Sequence, residues 1–122
     1  MQFKNLNKNF ESINLKDGEV VYSQGEKSGD GYLIQYGNIQ LKHAEHMPHK
    51  YPVLGPGEIF GVWKVLFEDE ERFFTATAIS NTSLIIIPEK FLEKELTQMD
   101  SFLRHCFKVW IPLREHFRDP IT

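Results

Sequence analysis

Gly57-Glu58-Ile59-Phe60-Gly61-Val62-Trp63, followed eleven residues after Gly61 by Arg72, is the stretch whose reading decides the fold. Gly55-Pro56-Gly57 turns the chain into it. Arg72 stands behind the acidic run Glu68-Asp69-Glu70-Glu71 and ahead of Phe73-Phe74-Thr75. By residue type the acidic run is a solvated turn, and an arginine beside it ordinarily makes a surface ion pair. Trp63, Phe73 and Phe74 are ordinary core side chains. If Phe73 and Phe74 lie on a strand they face opposite sides, so that only one of them can enter an interior pocket.

Outward from this stretch the chain reads as short strands separated by turn residues. Asp17-Gly18 precedes Glu19-Val20-Val21-Tyr22, Tyr32 to Tyr36 follows the turn at Gly25, and Gly37-Asn38 leads into Ile39-Gln40-Leu41-Lys42. Tyr51 to Leu54 returns as a strand after a polar tip, and Phe73 to Ile79 and Ser83 to Ile87 flank an Asn81-Thr82 turn. Such a succession predicts a mostly β domain, a sandwich or jelly roll over about 15–87. Pro88 and Glu89 then open a short amphipathic helix with Phe91, Leu92 and Leu96 on one side. A longer helix is predicted from an N-cap at Asp100 or Ser101, its apolar stripe running through Phe102, Leu103, Phe107, Trp110, Leu113 and Phe117 and kinked at Pro112. The two helices occupy about 88–118, and the whole of 1–122 is expected to form one domain.

With 14 Lys+Arg against 17 Asp+Glu the formal net charge is −3 and the basic residues are scattered, which disfavours nucleic acid as a partner. Cys106 is the only cysteine, so no intrachain disulfide forms and a reducing, cytoplasmic setting is expected. The longest aliphatic run, Leu84-Ile85-Ile86-Ile87, is far short of a membrane span, and the N-terminus has no apolar core of signal-peptide length.

The fragments Gly18-Glu19-Val20-Val21-Tyr22 with Gly25-Glu26, Tyr32 to Ile39, and Leu54 to Gly61 occur in an order that resembles the cyclic nucleotide-binding domain family over roughly 15–118. The resemblance implies a double-stranded β-helix, or jelly-roll β-roll, followed by two α-helices, working as a regulatory or ligand-sensing module without catalysis. It also implies a phosphate-binding cassette, which in the family reads Phe-Gly-Glu, a helical turn, then Arg and small residues. Backbone amides there cradle the cyclic phosphate, the arginine neutralises it and the Glu accepts from the ribose hydroxyl. The matching ligand-binding positions are Gly61, Val62, Trp63, Arg72, Phe73, Phe74 and Thr75, and the ligand implied is cyclic AMP or another cyclic nucleotide.

Two positions depart from the family pattern. Val62 stands where the Glu belongs, at a cost of about 1–3 kcal/mol for an unpaired ribose hydroxyl. Phe73 stands where a small residue allows close approach, and its ring fills the ligand volume if it points inward. The implied nucleotide pocket is therefore altered or vacant. The other reading is a structural or protein-interaction module with a self-filled pocket and a protein partner that the sequence does not name. In the resembled family the last helix lids the ligand or pairs in a homodimer. The residues to Thr122 supply no helix-turn-helix, so a DNA-binding output is expected to belong to another chain.

Other constellations carry less. His43, His46 and His49 share a spacing of three, but Pro48 marks a loop rather than a helical metal face, and the His-x-His pair of the cupins is absent. Ser80 and Ser83 sit at a turn with no nucleophile elbow, and Cys106 falls on an apolar helix side. Neither a catalytic group nor a metal ligand is expected.

Overall fold

The computed structural model describes residues 10–44, 51–62, 70–106 and 109. Eight strands and a helix are laid out in chain order: β1 (Ser12–Leu15), β2 (Val20–Tyr22), β3 (Gly31–Tyr36), β4 (Ile39–Lys42), β5 (Val53–Leu54), β6 (Ile59–Phe60), β7 (Thr75–Ala78), β8 (Thr82–Ile87) and α1 (Glu89–Gln98). They form two four-stranded antiparallel sheets, β1-β8-β3-β6 and β2-β7-β4-β5. This is the jelly-roll arrangement expected from the spacing of strands and turns.

The aliphatic run 84–87 is explained by its place. In β8 it pairs with β1 at one edge and β3 at the other, and side chains pack on both of its faces. Leu84 joins Tyr22, Ile34, Leu41, Phe60 and Phe74 in the core. Ile85 and Ile87 point the other way, onto a second cluster closed by Phe91 and Leu92 of α1 and by Phe10. A strand covered on both faces needs apolar residues at consecutive positions.

Asp100 caps a second helical segment, 101–106, accepting the Phe102 N–H at 2.8 Å. The expected kink at Pro112 and the distal stripe lie outside the described residues. Two short strands went unread in the sequence, β1 and β6, each held mainly by its pairing partner. Other strands were read too long: β5 is only Val53–Leu54, and β7 begins at Thr75, because the chain bends at 73–74.

Candidate functional site

The segment carrying Arg72 is locked against the β2–β3 loop by main-chain bonds. Arg72 N–H donates to Glu26 O (2.7 Å), Gly25 N–H to Arg72 O (2.9 Å) and Ser28 N–H to Glu70 O (2.8 Å). Residues 26 and 71 therefore stay outside while Arg72 turns inward, and only 6% of it is exposed. The surface ion pair that its acidic neighbours suggested is overturned: among the described residues no carboxylate is recorded pairing with it.

Its partners are neutral. Nη1 donates to Gly61 O and Nη2 to Asp30 O, both at 2.8 Å, and the guanidinium lies over the Tyr22 ring at 4.1 Å. Carbonyl dipoles and a π face replace part of the lost hydration, a buried cation's largest cost. Nε is buried without an acceptor among the described residues. Tyr22, Tyr32 and Phe60 pack around one another with centroids 5.3 to 6.1 Å apart. Burial pushes the Tyr32 phenol above its ordinary value, with the Arg72 cation opposing the shift and Asp30 and Glu26 reinforcing it.

Gly61 is glycine for a reason of geometry. Its φ is +79°, and a β-carbon there would lie 3.0 Å from Arg72 Nη1. Val62 is buried and packs over Gly31, where an added β-carbon would lie 2.8 Å from Val62 Cγ1 and 3.1 Å from Leu92 Cδ1. The cassette position that carries Glu in the family is here an apolar contact beside α1. Trp63 lies outside the described residues, as do His46, His49, Glu68 and Asp69.

Phe73 and Phe74 do not face opposite sides. The bend ahead of β7 sets them edge to face at 4.9 Å, Phe74 in the core and Phe73 half-buried against it. Both rings thus occupy space at the cassette exit. Thr75 Oγ1 accepts the Gln24 N–H at 2.9 Å and is committed to the fold.

A cleft of about 510 Å³ opens beside this group, lined by Gln24, His43, Glu70, Glu71, Arg72 and Phe73 among others. Gln24 Oε1 accepts the Ala44 N–H, so its amide nitrogen donates to His43 Nε2 at 3.2 Å. His43 packs tilted against Phe73, ring centroids 4.3 Å apart. Sequence reasoning missed Tyr22, Gln24 and Asp30. Tyr22 closed the fragment Gly18 to Tyr22 and Gln24 lay beside the Gly25-Glu26 turn, but nothing in either fragment announced a role at the site. No cluster of metal-ligating side chains occurs among the described residues, and no helix there is long and apolar enough to cross a membrane.

The cyclic nucleotide-binding domain model matches residues 12–99, and the chain belongs to that family. It is 31% identical over 72 residues to the cyclic AMP receptor protein of Thermus thermophilus, a match covering 57% of this chain and 33% of that protein. Among solved structures it is similar to an EAL enzyme in its cAMP-bound form, with a TM-score of 0.72 and 19% identity over 87% of this chain and 29% of the other. It is also similar to the sensor domain of the transcriptional regulator DNR from Pseudomonas aeruginosa, with a TM-score of 0.70 and 19% identity over 91% of this chain and 75% of the other. The chain thus spans about a third of the curated relative's length. The structural likenesses establish the β-roll fold, and the family is one of ligand-binding regulatory domains.

Proposed function

We propose that the chain is a non-catalytic, cytoplasmic regulatory module of the cyclic nucleotide-binding type with an altered pocket, forming a single domain over 1–122. The observation that carries this reading is the pose of Arg72. The arginine stands at the phosphate-binding position of the family pattern, yet its guanidinium is held by Gly61 O, Asp30 O and the Tyr22 ring. Cyclic AMP or another cyclic nucleotide engages it only by drawing it off these partners, with the buried, unfilled Nε as the donor in reserve. The absent ribose acceptor at Val62 weakens such a ligand by roughly five- to a hundredfold.

A thermal-shift screen with cyclic AMP, cyclic GMP and cyclic dinucleotides tests this. Sensing predicts a rise of several degrees only at concentrations far above those a Glu-bearing cassette needs, and Arg72→Ala abolishes it. No shift with any of them at millimolar concentration sinks the sensor reading. A shift that survives Arg72→Ala places the ligand elsewhere.

The second reading is an interaction module, and exposed apolar residues of the second helical segment favour it: Phe102, Leu103 and Val109 are 68%, 51% and 45% exposed. Pairing of that helix with its twin in a homodimer would cover them. A monomer by light scattering at high micromolar concentration counts against that pairing.

A further inference from the structure

We propose that Asp30 is the positioning residue through which α1 senses where the Arg72 guanidinium lies. Asp30 is held from two sides at once. Its main-chain carbonyl accepts from Arg72 Nη2 at 2.8 Å, and its carboxylate Oδ1 accepts the Glu89 N–H, the first of α1, at 2.9 Å. The helix has no side-chain cap of its own, because Pro88 stands at the N-cap position. A carboxylate at the positive end of a helix satisfies an otherwise orphan donor and complements the dipole. Here it comes from a loop 59 residues away in sequence.

The other arm of the guanidinium reaches the same helix by a second route. Nη1 holds Gly61 O, and the next residue, Val62, shares the face of Gly31 with Leu92 of α1. Nη2 thus ends on a residue bonded directly to α1 and Nη1 on the chain neighbour of one that packs beside it, although no contact between Arg72 and α1 is recorded. Among the described residues few other contacts hold the helix: none of its residues is fully buried, and Phe91 and Leu92 are its anchors in the packed clusters.

If Arg72 leaves its inward pose, the Asp30 carbonyl loses a charge-assisted donor and turns toward water. The carboxylate on the same residue then moves off the Glu89 amide, and the first turn of α1 frays. The link is intrinsic to the fold, and its use for signalling rests on the sensor reading above.

Amide hydrogen exchange on the ligand-free protein tests it, reading Glu89 to Leu92 against the core amides of β8. Asp30→Ala is expected to speed exchange of the first α1 turn about fivefold relative to β8, the loss of one cap. Arg72→Met, which keeps the bulk and removes the donors, is expected to speed it about threefold or more at the same amides. The double variant should exceed Asp30→Ala by less than the product of the two single effects, since the Asp30 route is shared and only the Gly61–Val62 route adds to it. Arg72→Met with α1 exchange unchanged, or a double variant whose effects multiply, overturns the proposal. Should Arg72→Met loosen β8 as well, Arg72→Lys keeps the charge with fewer donors, and α1 exchange at the wild-type rate there is equally fatal. Because no nucleotide is present, a failed nucleotide screen leaves this result standing, and a negative result here leaves the sensor reading intact.

Discussion

Two glycine-centred polar groups sit in this roll, and they are satisfied to different degrees. At Gly37 the hydrogen bonds close on themselves. Asn38 N–H is shared between Ser80 Oγ and Thr82 Oγ1, the Thr82 hydroxyl faces the carbonyls of Ser80 and Asn38, and Ile79 N–H donates to Asn38 O. At Gly61 they do not close. Arg72 Nε and, nearby in the same paired segment, Ser28 Oγ are buried without partners among the described residues. Folded proteins rarely leave such donors unpaired, so the open group holds donors to spare while the closed one is fully committed to the fold.

The sharpest test of that contrast is Gly37→Ala. With φ at +89° and a β-carbon 2.5 Å from Asn81 O, the substitution is strained and overpacked against backbone, and a loss of about 3–5 kcal/mol is expected in denaturant unfolding. A loss under about 1 kcal/mol would show that the turn is not rigid. Thr82→Val keeps shape and removes the hydroxyl from the closed group; about 1–3 kcal/mol should go. Arg72→Met should cost less than Thr82→Val, within about 1 kcal/mol, because an apolar isostere removes a buried cation that has no carboxylate partner among the described residues. If it costs more than Thr82→Val, Arg72 is committed to the fold too and the distinction between the two groups collapses.

The smallest expected effect is a change of slope with pH. The folded protein holds the Tyr32 proton to higher pH than the unfolded chain does, because burial raises its pKa. That contribution is intact below the unfolded value of about 10 and is lost as pH rises from there through the folded one. Denaturation midpoints measured across this window should fall less steeply in Tyr32→Phe than in wild type. Parallel curves would mean that Tyr32 is better hydrated than its packing against Phe60 implies.

Much of this was legible in the sequence, for local reasons. The turn glycines, the alternation of β4 and the Asp100 cap are signals contained within a few residues, and each placed its element. The resemblance to the family's cassette placed Gly61 and Arg72 in one neighbourhood, where Nη1 bonds Gly61 O. What could not be read depends on partners far along the chain. β1 and β6 exist through pairing with β8 and β3. The inward turn of Arg72 is imposed by residues 25–28, against the surface role its acidic neighbours suggest. Phe73 and Phe74 were assigned to opposite faces because the bend before Thr75 has no turn residue to announce it.

The carbonyl bonds of Arg72 have a consequence for dose. Any anion that recruits this side chain competes with an acceptor set the protein always carries at fixed geometry. Each ~1.4 kcal/mol by which the inward pose is favoured raises tenfold the concentration at which the anion is felt. The threshold of such a sensor is therefore written in the backbone of residues 30 and 61 as much as in the fit of its ligand, and a substitution that shifts either carbonyl would retune it without touching the binding surface.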